Sequence, residues 1–273
     1  MINEIHDEKQ GMLETAFDAA RRSGEILKKN FGKSKKISYK GRINPVTNID
    51  LQSEETIIDI ITSVYPEHDI ITEESDIELK GASCRWIIDP LDGTVNYAHD
   101  YPFFAVSIAL EINGVVEIGV VYNPVMDEFF YAVRGKGAFC NDVQISVSKT
   151  DTLERSLLVT GFPYDINENE YNNLPHFNHM IKHVQALHRD GSAALNLCYC
   201  AMGRFDGYWE TAISPWDIAA GTLLTTEAGG TVSNLKGESL SIFGNELVAS
   251  NGKIHEQMVE QLQTVNREYF KMK

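Results

Sequence analysis

The chain has 273 residues, 43% of them hydrophobic, enough to bury a sizeable core in one large or two small domains. Its 39 acidic against 24 basic residues leave a net charge of −15, a surface that repels nucleic acid and anionic membrane. The N-terminus is acidic and lacks an apolar core, and the longest apolar stretch, 103–110, is far too short to cross a bilayer; the expectation is a cytoplasmic protein without signal peptide or membrane anchor.

Apolar positions at Met12, Ala16, Ala19, Ile26 and Leu27 predict a helix over 8–31, closed by Gly32. A basic loop over 32–47 carries Lys33, Lys35, Lys36, Lys40 and Arg42. It reads either as plain surface or as a flap that adds positive charge over a phosphate. A second helix runs from 48 to about 65 and is stopped by Pro66. Apolar runs at 70–72, 86–89, 104–112, 115–122 and 128–133 read as strands, with Asn113-Gly114 as a two-residue hairpin turn. The first half, 1–150, is thus helices followed by an antiparallel meander.

In the second half, 151–273, strands are expected at 157–160, 186–188, 205–209 and 247–250. Helices are expected at 168–184, 192–203 and 215–228, with an amphipathic helix at the end. Such alternation predicts a second sheet covered by helices. No repeat or long linker interrupts the chain, so 1–273 is expected to be a single unit of α+β class. The four cysteines, Cys84, Cys140, Cys198 and Cys200, read as reduced thiols; Cys198 and Cys200 lack the second pair that a zinc site needs.

The chemistry concentrates in Asp89-Pro-Leu-Asp-Gly-Thr-Val-Asn-Tyr97. A strand delivers Asp89, Pro90 is expected to stop the ladder, and Asp92-Gly93-Thr94 has the form of a turn opening a helix. The bend turns both carboxylates toward one point, and the amides of Gly93 and Thr94 could meet a phosphate oxygen. Carboxylates so close raise one another's pKa unless a cation lies between them. Oxygen ligands without nearby His or Cys favour Mg²⁺ or Mn²⁺ over Zn²⁺. The same stretch also reads as a surface turn, since Asp, Pro and Gly are all turn formers. Glu73-Glu74 ends another short strand, where an acidic pair is commonly just solvated. Asp217 follows Ser214-Pro-Trp at the N3 position of a helix, a placement that its capping role alone would explain. Trp216 reads as a core anchor.

Taken in order, Glu73-Glu74, the Asp89–Tyr97 motif, Gly191-Ser-Ala-Ala-Leu-Asn196, Trp216-Asp-Ile-Ala-Ala-Gly221 and Glu227-Ala-Gly-Gly230 resemble the inositol monophosphatase family through nearly the whole chain. That resemblance implies a layered αβαβα sandwich of the inositol monophosphatase and fructose bisphosphatase type, commonly a homodimer. It implies lithium-sensitive hydrolysis of a small phosphorylated metabolite with two or three Mg²⁺ ions per subunit. Glu73, Asp89 and the Leu91 carbonyl match the ligands of a first ion, and Asp89, Asp92 and Asp217 those of a second. Asp50 matches the acid of a third, weaker site. Gly93 and Thr94 match phosphate-binding positions, and Glu73 and Thr94 would orient the attacking water. Glu210, Gly191 and Ala193 match the pocket that reads the alcohol. Leu91 is a conservative variation of the motif, shared with fructose bisphosphatases. Asp190 and Tyr97 are expected at the pocket edge, and the segment 161–175 at the substrate mouth or a dimer edge.

The expected reaction is in-line hydrolysis of myo-inositol 1-phosphate. Its alternatives are the same chemistry on the 2′-phosphate of NADP(H), fructose 1,6-bisphosphate or another small phosphate, and, in another class, a non-enzymatic regulator. Two further signals are set aside. Gly135-Lys-Gly137 lacks the third glycine of a dinucleotide loop. His176, His179 and His183 share a helical spacing without an acidic partner and read as a solvated face.

Overall fold

The computed structural model describes residues 7–34, 37–40 and 44–270. Helices α1 (Asp7–Asn30) and α2 (Asn48–Val64) form where the apolar period puts them. The basic segment between them, expected to be loop, has two short strands among its described residues. It contains β1 (Ile37–Lys40) and β2 (Asn44–Thr47), which pair as an antiparallel hairpin. Lys35, Lys36 and Arg42 of the expected flap lie outside the described residues.

The first large sheet takes its strands in chain order. They are β3 (Asp69–Thr72), β4 (Cys84–Asp92), β5 (Ala105–Ile112), β6 (Val115–Asn123), β7 (Glu128–Val133), β8 (Ala138–Cys140) and β9 (Val143–Gln144), with helix α3 (Thr94–Ala98) between β4 and β5. β8 and β9 are too short for alternation to reveal, and the sequence reading omits them. The expected meander is otherwise correct save at its edge, where β3 runs parallel to β4. Pro90 does not stop the ladder either. β4 continues to Asp92 through a register shift, a place where a sheet tolerates proline.

The second sheet, ordered β11-β10-β12-β14-β13, comprises β10 (Leu157–Thr160), β11 (Ala186–His188), β12 (Gly207–Thr211), β13 (Thr231–Ser233) and β14 (Glu246–Ser250). β10 is parallel to both β11 and β12. Its helices are α4 (Leu174–Met180), α5 (Ala193–Ala201), α6 (Pro215–Glu227) and α7 (His255–Glu268). The helix expected over 168–184 shrinks to α4, because Asn173 takes a positive φ of 65° and ties the preceding segment to the sheet. Its amide donates to the Gly161 carbonyl at 2.6 Å, and its carbonyl accepts the Trp209 indole N–H at 2.7 Å.

Three apolar cores separate these layers. Met12, Leu27, Ile57 and Ile61 of α1 and α2 close on Trp86, Ile88 and Ile108. Ile87 and Ala109, on the opposite face of the same strands, meet Leu197, Ala219 and Leu223 of α5 and α6 and then Tyr208 and Ala249 of the second sheet. Met180, Met258 and Leu262 of α4 and α7 cover Leu158, Trp209 and Val248 on its far side. The order is helix, sheet, helix, sheet, helix, the αβαβα sandwich. α6 comes close to the first sheet because Gly119 has no side chain; a Cβ there would lie 2.8 Å from the Ala220 carbonyl oxygen.

Two expectations fail on packing. The histidine face is solvated only in part: buried His176 bonds Asn266 at 2.8 Å and half-buried His179 bonds Gln261 at 2.7 Å, both on α7, while His183, beyond the end of α4, is exposed as expected. Tyr97 is no pocket-edge residue; it is fully buried and donates to the Leu27 carbonyl at 2.9 Å. The four cysteines are free, Cys198 and Cys200 being buried in α5. Among the described residues no helix is long and apolar enough to cross a membrane.

Candidate active site

Asp89 and Asp92 are three residues apart, and in a regular strand their side chains would point to opposite faces. β4 advances from Asp89 to Asp92 while β5 moves only from Ser107 to Ala105. The bulge absorbs one residue, and both carboxylates come to the face that looks onto α6. The parallel pairing of β3 with β4 adds a third acid. Thr72 pairs with Ile88, so the next residue, Glu73, leaves the sheet beside Asp89.

Asp217 arrives from the second half at the N-terminus of α6. The Ser214 backbone N–H donates to its Oδ2 at 2.8 Å, as the N3 position predicts. Capping occupies one oxygen and leaves the other to the site, so the structural and chemical readings of Asp217 hold together. One oxygen each of Asp89, Asp92 and Asp217 lies within 4.8 Å of the others, a group that could hold a metal ion. Oxygen donors alone suit a hard divalent cation.

Of these acids Asp92 and Asp217 open on a cavity of about 340 Å³, lined also by Glu73, Gly93, Gly191, Ala193 and Glu210 among others, while Asp89 is buried beside them. Gly93 has a φ of 92° and opens α3; a Cβ there would press to 3.0 Å from the Phe103 carbonyl oxygen. Thr94 sits behind it. Its Oγ1 is 3.1 Å from Asp50 Oδ1 and 2.9 Å from the Leu91 carbonyl oxygen. Both oxygens of Asp50 accept hydrogen bonds, Oδ1 from Thr94 and Oδ2 from the Thr47 amide at 3.0 Å. The Leu91 amide donates to Asp89 Oδ1 at 2.9 Å.

In the same cavity the Tyr208 hydroxyl donates to Glu210. Gly161 leaves that carboxylate its room, since a Cβ on Gly161 would fall 2.0 Å from Glu210 Oε2. Gly161, Phe162, Pro163 and Tyr164 line the same cavity, so the start of the 161–175 segment is at its mouth. Asp190 bonds Asn96 through its backbone carbonyl at 2.8 Å, while the neighbouring Arg189 and Gly191 line the cavity. Arg189 is a cation on this wall, and sequence reasoning missed it; its place two residues before the Gly191-Ser192 motif was the available signal.

The site gathers buried carboxylates whose protons are held to higher pH than usual. Burial raises Asp92 to about 6, with the Ser192 hydroxyl and the Ala194 amide pulling the other way. Burial also raises Asp50 to about 6 and Glu210 to about 7. Asp89 and Asp217 are pushed well above the carboxylate range by burial, then by Glu73 and Asp92 respectively among neighbouring charges. A divalent cation among these carboxylates would offset their mutual repulsion.

The comparisons with known proteins agree with this geometry. A family model described as the inositol monophosphatase family matches residues 8–267. An inositol-1-monophosphatase from Synechocystis is 43% identical over 256 residues, covering 93% of this chain and 89% of that protein. A protein named Nus factor SuhB from Pasteurella multocida is 41% identical over 263 residues, covering 95% of this chain and 98% of its own. The structure of an inositol monophosphatase from Anabaena superposes with a TM-score of 0.87 at 43% identity, over 94% of this chain and 97% of that one. With two packed sheets, converging acids and a match along nearly its whole length, the chain belongs to the inositol monophosphatase family.

Proposed function

We propose that the protein is a Mg²⁺-dependent phosphatase that hydrolyses a small phosphate monoester, with myo-inositol 1-phosphate as its substrate. The observation that carries this reading is the convergence of Asp89, Asp92 and Asp217 at a cavity shared with Glu73 and Glu210. The cavity, of about 340 Å³, has room for a sugar-sized alcohol, and the 2′-phosphate end of NADP(H) is an alternative occupant. Fructose 1,6-bisphosphate stays among the alternatives.

Glu73, Asp89, the Leu91 carbonyl, Asp92 and Asp217 would hold two ions, with a third held through water near Asp50. When bound, the ions offset the four carboxylates and supply the positive charge that receives phosphate and activates water. Mn²⁺ fits the same oxygens, and lithium sensitivity accompanies the family reading. The Thr94 hydroxyl has one proton and two acceptors in reach, Asp50 and the Leu91 carbonyl. With that carbonyl engaged elsewhere, Thr94 donates to Asp50 and its lone pair accepts from the attacking water, which Glu73 helps to orient. The Gly93 and Thr94 amides meet the phosphate. Glu210 accepts from a hydroxyl of the leaving alcohol, and Gly191 and Ala193 form the wall beside it. The carboxylates come from both halves, which supports one unit over 1–273; a homodimer and a cytoplasmic setting belong to the same reading.

The test is release of inorganic phosphate from inositol 1-phosphate, NADP⁺ and fructose 1,6-bisphosphate, with and without Mg²⁺. Mg²⁺-dependent release that is fastest from inositol 1-phosphate supports the assignment; inositol phosphate as the poorest substrate sinks it. A second reading is favoured by relatives named Nus factor SuhB at 40–41% identity. It is a regulatory binding protein that retains the fold, and absence of release from every phosphate tried would favour it.

A further inference from the structure

We infer that Glu54 is the positioning residue for Glu73, and that one buried polar face of α2 holds the acidic site in register. The inference rests on the phosphatase reading and deepens it. Asp50, Ser53 and Glu54 are spaced i, i+3 and i+4, so they share one side of α2. Each reaches a different segment of the site. Asp50 accepts from Thr94 at 3.1 Å, and Ser53 Oγ donates to the Pro90 carbonyl at 2.8 Å, between Asp89 and Leu91.

Glu54 holds the third segment. It is 3% exposed and does not line the cavity, so it orients other groups rather than meeting substrate. Its Oε2 accepts from Thr72 Oγ1 at 2.6 Å and from the Glu74 amide at 3.0 Å. Its Oε1 accepts from Ser75 Oγ. These donors bracket Glu73 on both sides. β3 ends at Thr72, and from there Glu54 takes over from the ladder in fixing the path of the chain. A carboxylate accepts all three donors with its two oxygens. Glutamine keeps one accepting oxygen for Thr72 and Glu74, and the Ser75 hydroxyl can turn to accept from its amide. Alanine takes the acceptor away from the buried Thr72 hydroxyl and from the Glu74 amide, and so removes these ties on both sides of Glu73.

The test compares wild type, Glu54→Ala and Glu54→Gln by direct Mn²⁺ binding, followed by electron paramagnetic resonance without substrate. Circular dichroism and thermal midpoints are recorded alongside. Groups that orient metal ligands typically contribute about 10–100-fold to metal affinity, so Glu54→Ala should weaken Mn²⁺ binding by about that factor and Glu54→Gln by no more than about threefold. A folded Glu54→Ala protein with wild-type affinity, whatever its thermal midpoint, overturns the inference. Should Glu54→Ala not fold, the double variant Thr72→Val with Ser75→Ala removes two of the three donors and leaves Glu54 in place. Weakened Mn²⁺ binding there supports the inference and unchanged binding overturns it. A wild-type protein that binds no Mn²⁺ overturns the phosphatase reading itself, and the positioning role with it.

Discussion

The carboxylate of Asp92 accepts the backbone N–H of Ala194 at 2.8 Å, which ties the end of β4 to the first turn of α5. The Ser192 hydroxyl donates to the same oxygen, and the Ala193 amide lies 3.2 Å from the other. Asp92 is thus the point where the two halves of the chain meet at the site. It joins them through hydrogen bonds that need an oxygen acceptor and not a charge.

Asp92→Asn separates those two roles. An amide oxygen in the Oδ2 position keeps the bonds from Ser192 and Ala194, while the charge that would hold a cation is lost. The metal-free variant should unfold within a few degrees of wild type, and its kcat on any phosphate substrate should fall by at least about 100-fold, beyond the usual effect of groups that only orient ligands. Near-normal turnover at saturating Mg²⁺ would remove Asp92 from the chemistry.

Thr94 and Asp50 offer a sharper test, because neither depends on the identity of the alcohol. Thr94→Val deletes the hydroxyl that Asp50 accepts but keeps the shape of the buried side chain. Proton transfer by a positioned group contributes about 10²–10⁴-fold, so kcat should drop within that range with KM nearly unchanged, and Thr94→Ser should restore most of it. Asp50→Asn should reproduce the loss. A drop confined to KM would mean that Thr94 only binds phosphate.

Much of this candidate site was legible in the sequence, from local patterns and from the family resemblance that joined them. Asp89, Asp92, Gly93 and Thr94 are bound to a local strand-to-helix turn, whose residue types declare themselves over a few positions. Asp217 was legible as a cap, since N3 chemistry is local too. What local pattern could not convey was pairing. That β3 runs parallel to β4, bringing Glu73 beside Asp89, is a fact about two strands, and the periodicity of either is the same in both orientations. The bulge after Asp89 was misread as a stop, because proline removes a ladder donor in either case. Glu54 was missed for the same reason, its partners being distant in sequence. The two large layers followed from alternation, while β8, β9 and β13 are too short to alternate.

Gly161 and Glu210 give a prediction about substrate choice. Glu210→Ala should raise KM for inositol 1-phosphate while sparing a generic aryl phosphate, whose leaving group has no hydroxyl to offer. Gly161→Ala should mimic it, because the added Cβ would fall 2.0 Å from the Glu210 carboxylate and drive that flexible end aside. One hydrogen bond to a charged group is worth about 1.5–3 kcal/mol, so the expected loss of kcat/KM on inositol phosphate is about 10–100-fold. Measuring both variants on both substrates decides the matter, and equal losses would show that Glu210 does not read the alcohol.

The raised carboxylates also fix how the metal-free protein responds to pH. Burial is the main cause for Asp50 and Asp92, both moved from 3.8 to about 6, and for Glu210, moved from 4.5 to about 7. The folded state therefore keeps these protons to higher pH than the unfolded chain. Between about pH 4 and about pH 7 the native form binds more protons, and stability must fall as pH rises across that window. Below it both states are protonated and the effect vanishes. A divalent cation at the cluster removes the cost of ionising Asp92, so Mg²⁺ should raise the thermal midpoint little at about pH 5 and considerably more at about pH 8. Thermal scans in chelator and in Mg²⁺ at the two pH values read this directly. Asp92→Asn should make the chelator series less steep and shrink the Mg²⁺ response together, since Asp92 contributes to both; an Mg²⁺ shift equal at both pH values would contradict the linkage.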